Sequence, residues 1–208
     1  MQKILVFCAF CTLLAGCGTV KQQTSDRALM KEAQSFAKEL EHDGWKVNSS
    51  RSLETLLFDH YVALQDKNNR ELVANVEGDI NVKTINAARQ WAMNNAAISY
   101  AQEAETYVRG RVGSEVSGGL KDNPSLDNFY AAYESLVAKE ISGELQTSVA
   151  IYRKTSNGSI EYRIYFIVNE EAASQARIRA LQNALLESEA ARMNAEEISK
   201  FVREGFEI

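Results

Sequence analysis

VAIYRKTSNGSIEYRIYFIV, residues 149–168, is the stretch that decides the fold. Val149-Ala150-Ile151-Tyr152 and the run from Ile160 to Val168 are dense in β-branched and aromatic side chains, and between them lies Ser156-Asn157-Gly158-Ser159. Such side chains suit a pleated backbone, and Asn-Gly supplies the positive φ angles that a tight hairpin turn needs. The segment is therefore expected to be an antiparallel hairpin. In its second run Ile160, Tyr162, Ile164, Phe166 and Val168 share one face. Tyr165 and Ile167 add apolar bulk to the other face, which marks a strand that is central, or covered on both sides at its end.

Working outward, Leu72, Ala74, Val76, Ile80 and Val82 alternate with Asn75, Glu77, Asp79 and Asn81, which predicts a strand over 72–82 with one wet face. Gly78 interrupts it and implies a bulge or a close backbone approach. Thr84 then opens a long helix to about residue 110, rich in alanine at Ala87, Ala88, Ala92, Ala96, Ala97, Ala101 and Ala104. Small side chains let a helix axis approach a sheet or a second helix closely. Gly110, Gly113, Gly118 and Gly119 are expected to mark where it frays into a loop. Asn123-Pro124-Ser125 is a stop and a restart, and Leu126, Phe129, Tyr130, Tyr133, Leu136 and Val137 follow at helical spacing. With Tyr100 and Tyr107, these aromatics are expected to pack the core rather than line a ligand groove.

Toward the N-terminus, Ser25-Asp26 reads as a helix start, with a stripe at Leu29, Ala33, Phe36, Ala37 and Leu40 and a glycine stop at Gly44. Trp45-Lys46-Val47 reads as a short strand, and Ser52 caps a second helix bearing Leu53, Leu56, Leu57, Tyr61 and Leu64. At the other end, Asn169-Glu170-Glu171 starts a helix expected to run unbroken to about Phe201. Its stripe is Ala173, Ala176, Ala180, Ala184, Ala191, Ala195, Ile198 and Val202. The fold class is α+β: an antiparallel sheet with an aromatic hairpin, packed by long helices, and a long C-terminal helix, in a single domain over residues 25–208.

The first residues carry a different message. Lys3 is followed by an apolar run from Ile4 to Leu14 and then Leu14-Ala15-Gly16-Cys17. The apolar run is too short to cross a bilayer as a helix and fits a secretory leader. LAGC resembles the lipobox of bacterial lipoproteins, which implies cleavage after residue 16 and a diacylglycerol and acyl chain (palmitate in type) on Cys17. Residues 17–24 are then a lipidated polar tether. Gly18 stands where an aspartate would imply inner-membrane retention, so the expected location is the outer membrane, facing the periplasm; cell-surface exposure is the other option. Cys8, Cys11 and Cys17 are the only cysteines, so the domain after residue 17 has no disulfide and no cysteine metal ligand. Losing the leader takes the formal charge from −5 to −6, because Lys3 is its only charged side chain. An acidic chain without a basic cluster is no nucleic-acid binder, and the lipid on Cys17, not charge, must supply the membrane contact.

"ELVANVEGD", "NAARQWAMNNAAISYAQEAE" and "GSIEYRIYFIV", within residues 70–170, resemble the small bacterial envelope lipoproteins typified by a twenty-kilodalton Helicobacter lipoprotein. The resemblance implies membrane association and an envelope or surface role, and brings no catalytic residues.

Candidate chemistry is sparse. His42 and His60 lie on separate helices without metal-binding spacing and are expected at the surface or its boundary. Glu77 and Asp79, on one strand face and roughly 6–7 Å apart, could bind a cation or act as an acid–base pair. Arg89, Arg109 and Arg111 could present cations to a phosphate, a sugar acid or a headgroup, although cations near a helix C-terminus already answer its dipole. No cofactor or metal is expected. The favoured function is a non-enzymatic binding or assembly module of the envelope, meeting a protein partner or a second copy through the C-terminal helix. The other is a periplasmic binder of small ligands or cell-wall fragments, or a hydrolase using Glu77 and Asp79.

Overall fold

In the computed structural model, which describes the backbone of residues 17–115 and 125–204 and the side chains of 26–114 and 126–204 apart from Asp79, the hairpin organises the sheet. Strands β3 (Gln146–Lys154) and β4 (Ile160–Asn169) pair antiparallel, with Tyr152 opposite Tyr162 and Ala150 opposite Ile164. The turn departs from expectation. Gly158 takes a positive φ of 78°, whereas Asn157 does not. The Gly158 N–H donates to the Thr155 carbonyl at 3.0 Å, and the Thr155 N–H to the Ser159 carbonyl at 3.0 Å. This is a three-residue loop with glycine in the left-handed position, not a two-residue Asn-Gly turn. The Asn157 side chain accepts from the Ser159 N–H at 2.9 Å.

Two further strands complete an antiparallel sheet in the order β1-β3-β4-β2: β1 (Lys46–Val47) beside β3, and β2 (Asn69–Val76) beside β4. β4 is central, as its two apolar faces required. The expected strand over 72–82 is shorter. It ends at Val76, and a 3-10 turn occupies Gly78–Ile80 before Asn81 adopts a left-handed φ of 51°. A Cβ on Gly78 would stand 2.5 Å from Thr155 Cγ2 and 3.0 Å from Glu161 Oε1, so the glycine marks a close approach to the hairpin. Ile80 and Val82 leave the ladder but still pack against the sheet core.

Helices cover both faces. On one lies α3 (Ile85–Glu115), where Ala88, Ala92 and Ala96 meet Ala74, Val76, Ile160, Tyr162, Ile164 and Phe166. The Thr84 hydroxyl caps it by accepting from the Ala87 N–H at 3.2 Å. Gly110 and Gly113 do not fray it; Val108 and Val112 are buried, and their packing outweighs the poor helix propensity of glycine. Gly118 and Gly119 lie outside the described residues. On the other face lie α1 (Cys17–His42) and α2 (Leu53–Ala63), whose Ala33, Ala37, Leu40, Leu53 and Leu57 pack with Trp45 on Val149, Ile151 and Tyr165. The helix expected from Ser25 begins at Cys17, so the backbone of the tether residues 17–24 is helical. α1 stops at Gly44 (φ 84°), where Gly44 N–H donates to the Glu41 carbonyl and Trp45 N–H to the Leu40 carbonyl. That paired cap aims Trp45 back onto the sheet.

A third cluster joins the second half of α3 to α4 (Ser125–Ile141) and to the C-terminal helices. Here the single long helix expected to Phe201 is replaced by α5 (Glu170–Ala184), a 3-10 turn at Leu185–Glu187, α6 (Glu189–Met193) and α7 (Ala195–Glu204). A straight helix over 170–204 would be about 52 Å long and would carry its second half off the domain. The breaks fold it back, so that Ala173, Ala176, Ala180, Ala184, Ala191, Ile198 and Val202 are all buried in one core. The small-residue stripe thus faces the protein's own interior, and a partner on these helices would have to use other residues.

Candidate ligand groove on the sheet

The α1–α2 layer covers only part of its sheet face. Beyond Ile151 and Tyr165 the same face continues with Arg153, Glu161, Arg163 and Asn75, set by the pairings Arg153–Glu161, Ile151–Arg163 and Asn75–Arg163. None of the four is buried. With Trp45, Glu77, Gly78, Thr155, Asn157 and the edges of Val76 and Tyr162, they line an open groove of about 590 Å³.

Trp45 fixes both arginines. The Arg153 guanidinium lies 4.7 Å from the centre of the indole and that of Arg163 lies 5.0 Å from it. Arg153 pairs with the Glu161 carboxylate through Nε and donates from Nη1 to the Asp43 carbonyl at 3.2 Å. Arg163 has no carboxylate partner among the described residues. Its Nε donates to Asn75 Oδ1 at 2.9 Å and its Nη1 to the Tyr165 hydroxyl at 3.4 Å. Glu77 keeps an extended backbone (φ −85°, ψ 156°) just past the end of β2, is exposed, and has no ion pair among the described residues. At the tip, Lys83 Nζ donates to the Asn157 carbonyl at 3.1 Å, which pins the hairpin turn at one end of the groove.

The residues singled out in the sequence are not gathered in one place. Glu77 lines the groove; the side chain of Asp79 and that of Cys17 lie outside the described residues. Arg89 lines a smaller depression of about 230 Å³ with Asn48, Ser49, Asn86, Thr147 and Ser148. Tyr162 borders both; burial raises its pKa, and the charge of Arg89 works against the rise. Arg109 and Arg111 are structural staples. Arg109 bonds Glu105 at 2.5 Å and Asp127 at 3.2 Å and stacks 4.2 Å from the Tyr130 ring, tying α3 to α4. Arg111 bonds the Tyr107 hydroxyl at 2.7 Å and Glu204 at 3.0 Å, tying α3 to α7. Of the aromatics, Tyr100, Phe129, Tyr130 and Tyr133 are core, as expected, and Tyr107 packs against them.

The histidines divide. His42 is 90% exposed, whereas His60, expected near the surface, is 1% exposed and sits 2.6 Å from Glu71. Among the described residues no group of three His, Cys, Asp or Glu side chains could hold a metal ion, and no helix is long and apolar enough to cross a membrane. Trp45, Arg153 and Arg163 were not singled out as site residues from the sequence. Their signal was the polar face of the hairpin, where Arg153, Glu161 and Arg163 fall side by side once the strands pair. No family model, curated protein or solved structure matches the chain, so the likeness to small envelope lipoproteins rests on the sequence patterns alone.

Proposed function

We propose that this chain is a lipid-anchored, non-enzymatic binding protein of the bacterial cell envelope, held on the outer membrane through Cys17 and facing the periplasm, with the sheet groove as its ligand site. The groove carries this reading. It offers fixed guanidinium donors, carboxylate and amide acceptors and an aromatic wall in a space of about 590 Å³, the size of a small-molecule or oligomer-fragment site. The Leu14-Ala15-Gly16-Cys17 box supplies the anchor. Burial of the C-terminal stripe favours this groove over a helix-mediated assembly surface.

Two measurements test it. Cells fed a labelled fatty acid should label the wild-type protein and not Cys17→Ala, and the variant should leave the membrane fraction or accumulate as precursor. An unlabelled, soluble wild type would refute the anchor. The groove is read by fluorescence. The chain has two tryptophans, and Trp91→Phe removes the one on α3, leaving Trp45. A soluble cell-wall digest should then change Trp45 emission saturably. No change at millimolar ligand would count against the groove as a binding site for envelope fragments.

A further inference from the structure

We infer that the groove selects zwitterions of the amino-acid type, such as a short peptide with free ends, the carboxylate lying on Arg163 and the ammonium on Glu77. This rests on the groove being a ligand site, and adds the chemistry of what enters it.

The argument is one of unmatched charge. Among the described side chains, two guanidiniums and two carboxylates line the groove. Arg153 and Glu161 satisfy one another. Among the described side chains, that leaves one charge of each sign without a counter-ion: Arg163, held by a neutral amide, a hydroxyl and an indole face, and Glu77. The two do not pair with each other. Arg163 is kept from reaching across, because its Nε is fixed on Asn75 and its guanidinium lies over the Trp45 ring. Asn75 and Glu77 are two residues apart on extended backbone, so the acid stands about 6–7 Å along the strand from the side chain that holds the base. A molecule carrying both charges a few ångströms apart bridges that gap and neutralises both.

The geometry also favours a carboxylate over a neutral acceptor. A guanidinium whose plane is already held loses little freedom on binding and presents a planar fork that matches two carboxylate oxygens. A neutral sugar would gain hydrogen bonds here but would leave both charges unmatched. An anion without an amine would answer Arg163 and be repelled by Glu77. Free peptides and the stem peptides of a cell wall share the chemistry that satisfies both.

The test uses the full chain in detergent, carrying Trp91→Phe and read by Trp45 emission. The ligands are alanyl-alanine, its methyl ester, its N-acetyl form, a cell-wall digest with free peptide ends, and N-acetylglucosamine disaccharide. Alanyl-alanine should bind saturably, and blocking either end should weaken it by tenfold or more. Glu77→Gln should abolish the preference for a free amine while keeping that for a free carboxylate; Arg163→Gln should do the reverse. Glu77 is exposed, so its variant is expected to fold, and circular dichroism checks both. Tighter binding of the digest than of alanyl-alanine, with the same dependence on both residues, supports the inference and identifies the wall as source. Equal binding of blocked and free dipeptides, or indifference to both substitutions, overturns it. If only the disaccharide binds, the groove is a ligand site and the zwitterion assignment falls. If neither the digest nor any of the pure ligands binds, both fall.

Discussion

Arg177 lies among the alanines of α5, and nothing nearby in the chain announces that it is 1% exposed. Two of its partners come from far away in the chain. Its guanidinium bonds the Tyr100 hydroxyl, donates to Glu170 at 2.5 Å and reaches the Val202 carbonyl at 3.3 Å. Burial works against its charge, but the Glu170 and Tyr100 contacts more than offset this and hold its pKa above the ordinary value. Close by, the Tyr133 hydroxyl is buried without a hydrogen-bond partner among the described residues. Burial pushes its pKa well above the ordinary 10.0, with Arg177 opposing and Tyr100 reinforcing the rise. The fold thus favours the neutral phenol. That contribution is complete below pH 10 and is lost as pH climbs from there toward the folded-state pKa. Tyr133→Phe should therefore raise stability by about 1 kcal/mol at pH 7, by removing an unsatisfied hydroxyl. Its advantage over wild type should widen above pH 10. Urea melts at pH 7 and above 10 check both, and a variant less stable at pH 7 would show that the hydroxyl has a partner. Tyr61, Tyr100, Tyr130 and Tyr162 are raised by burial too, so the variant should still weaken in alkali. Sequence spacing alone marks Tyr133 as core, but cannot show an orphaned hydroxyl or a buried arginine, since both depend on residues brought in from other helices.

α3 is the element the sequence describes best. Thr84 caps it, and its alanines touch the sheet where the spacing placed them. Ala96 is 1% exposed against the strand residues, so Ala96→Leu should overpack the contact and cost about 1–3 kcal/mol. An unchanged melting temperature would mean that the helix stands off the sheet. The C-terminal helices were the least legible. A run of good helix formers continues through Leu185 and Leu186, and Ser188 and Asn194 interrupt it where the chain turns. Ser188 turns out to be a cap, accepting from the Ala191 N–H at 3.2 Å with an extended φ of −147°. A serine in a helical pattern is ambiguous until tertiary packing decides whether the chain must turn. Ser188→Ala should cost about 1 kcal/mol, seen in thermal melts. The groove was half legible for a related reason. Alternation shows that Arg153, Glu161 and Arg163 point away from α3, but which part of that face stays uncovered depends on where α1 and α2 stop.

Across the whole molecule, β4 is the shared member. Val168 belongs to the helical cluster, Tyr165 to the α1–α2 cluster, and Ile160, Tyr162, Ile164 and Phe166 to the α3 side. Three cores held by one strand should melt as one. Urea transitions followed by Trp45 emission in the Trp91→Phe background and by helical circular dichroism should coincide. Ile164→Val should lower both midpoints together, at a cost of about 0.5–1.5 kcal/mol. Two separate transitions would show that the clusters fold apart. Helix α1 has a consequence of another kind. Its backbone is helical from Cys17, and the first fully buried side chain described is Ala33, about 24 Å further along at the helical rise. If Cys17 carries the lipid that we propose, that segment would be a stilt rather than a leash. A leash lets its load roam anywhere within a radius, down to the headgroups. A stilt would set a clearance, so that the body would sway at one altitude and sample solutes from one stratum above the bilayer.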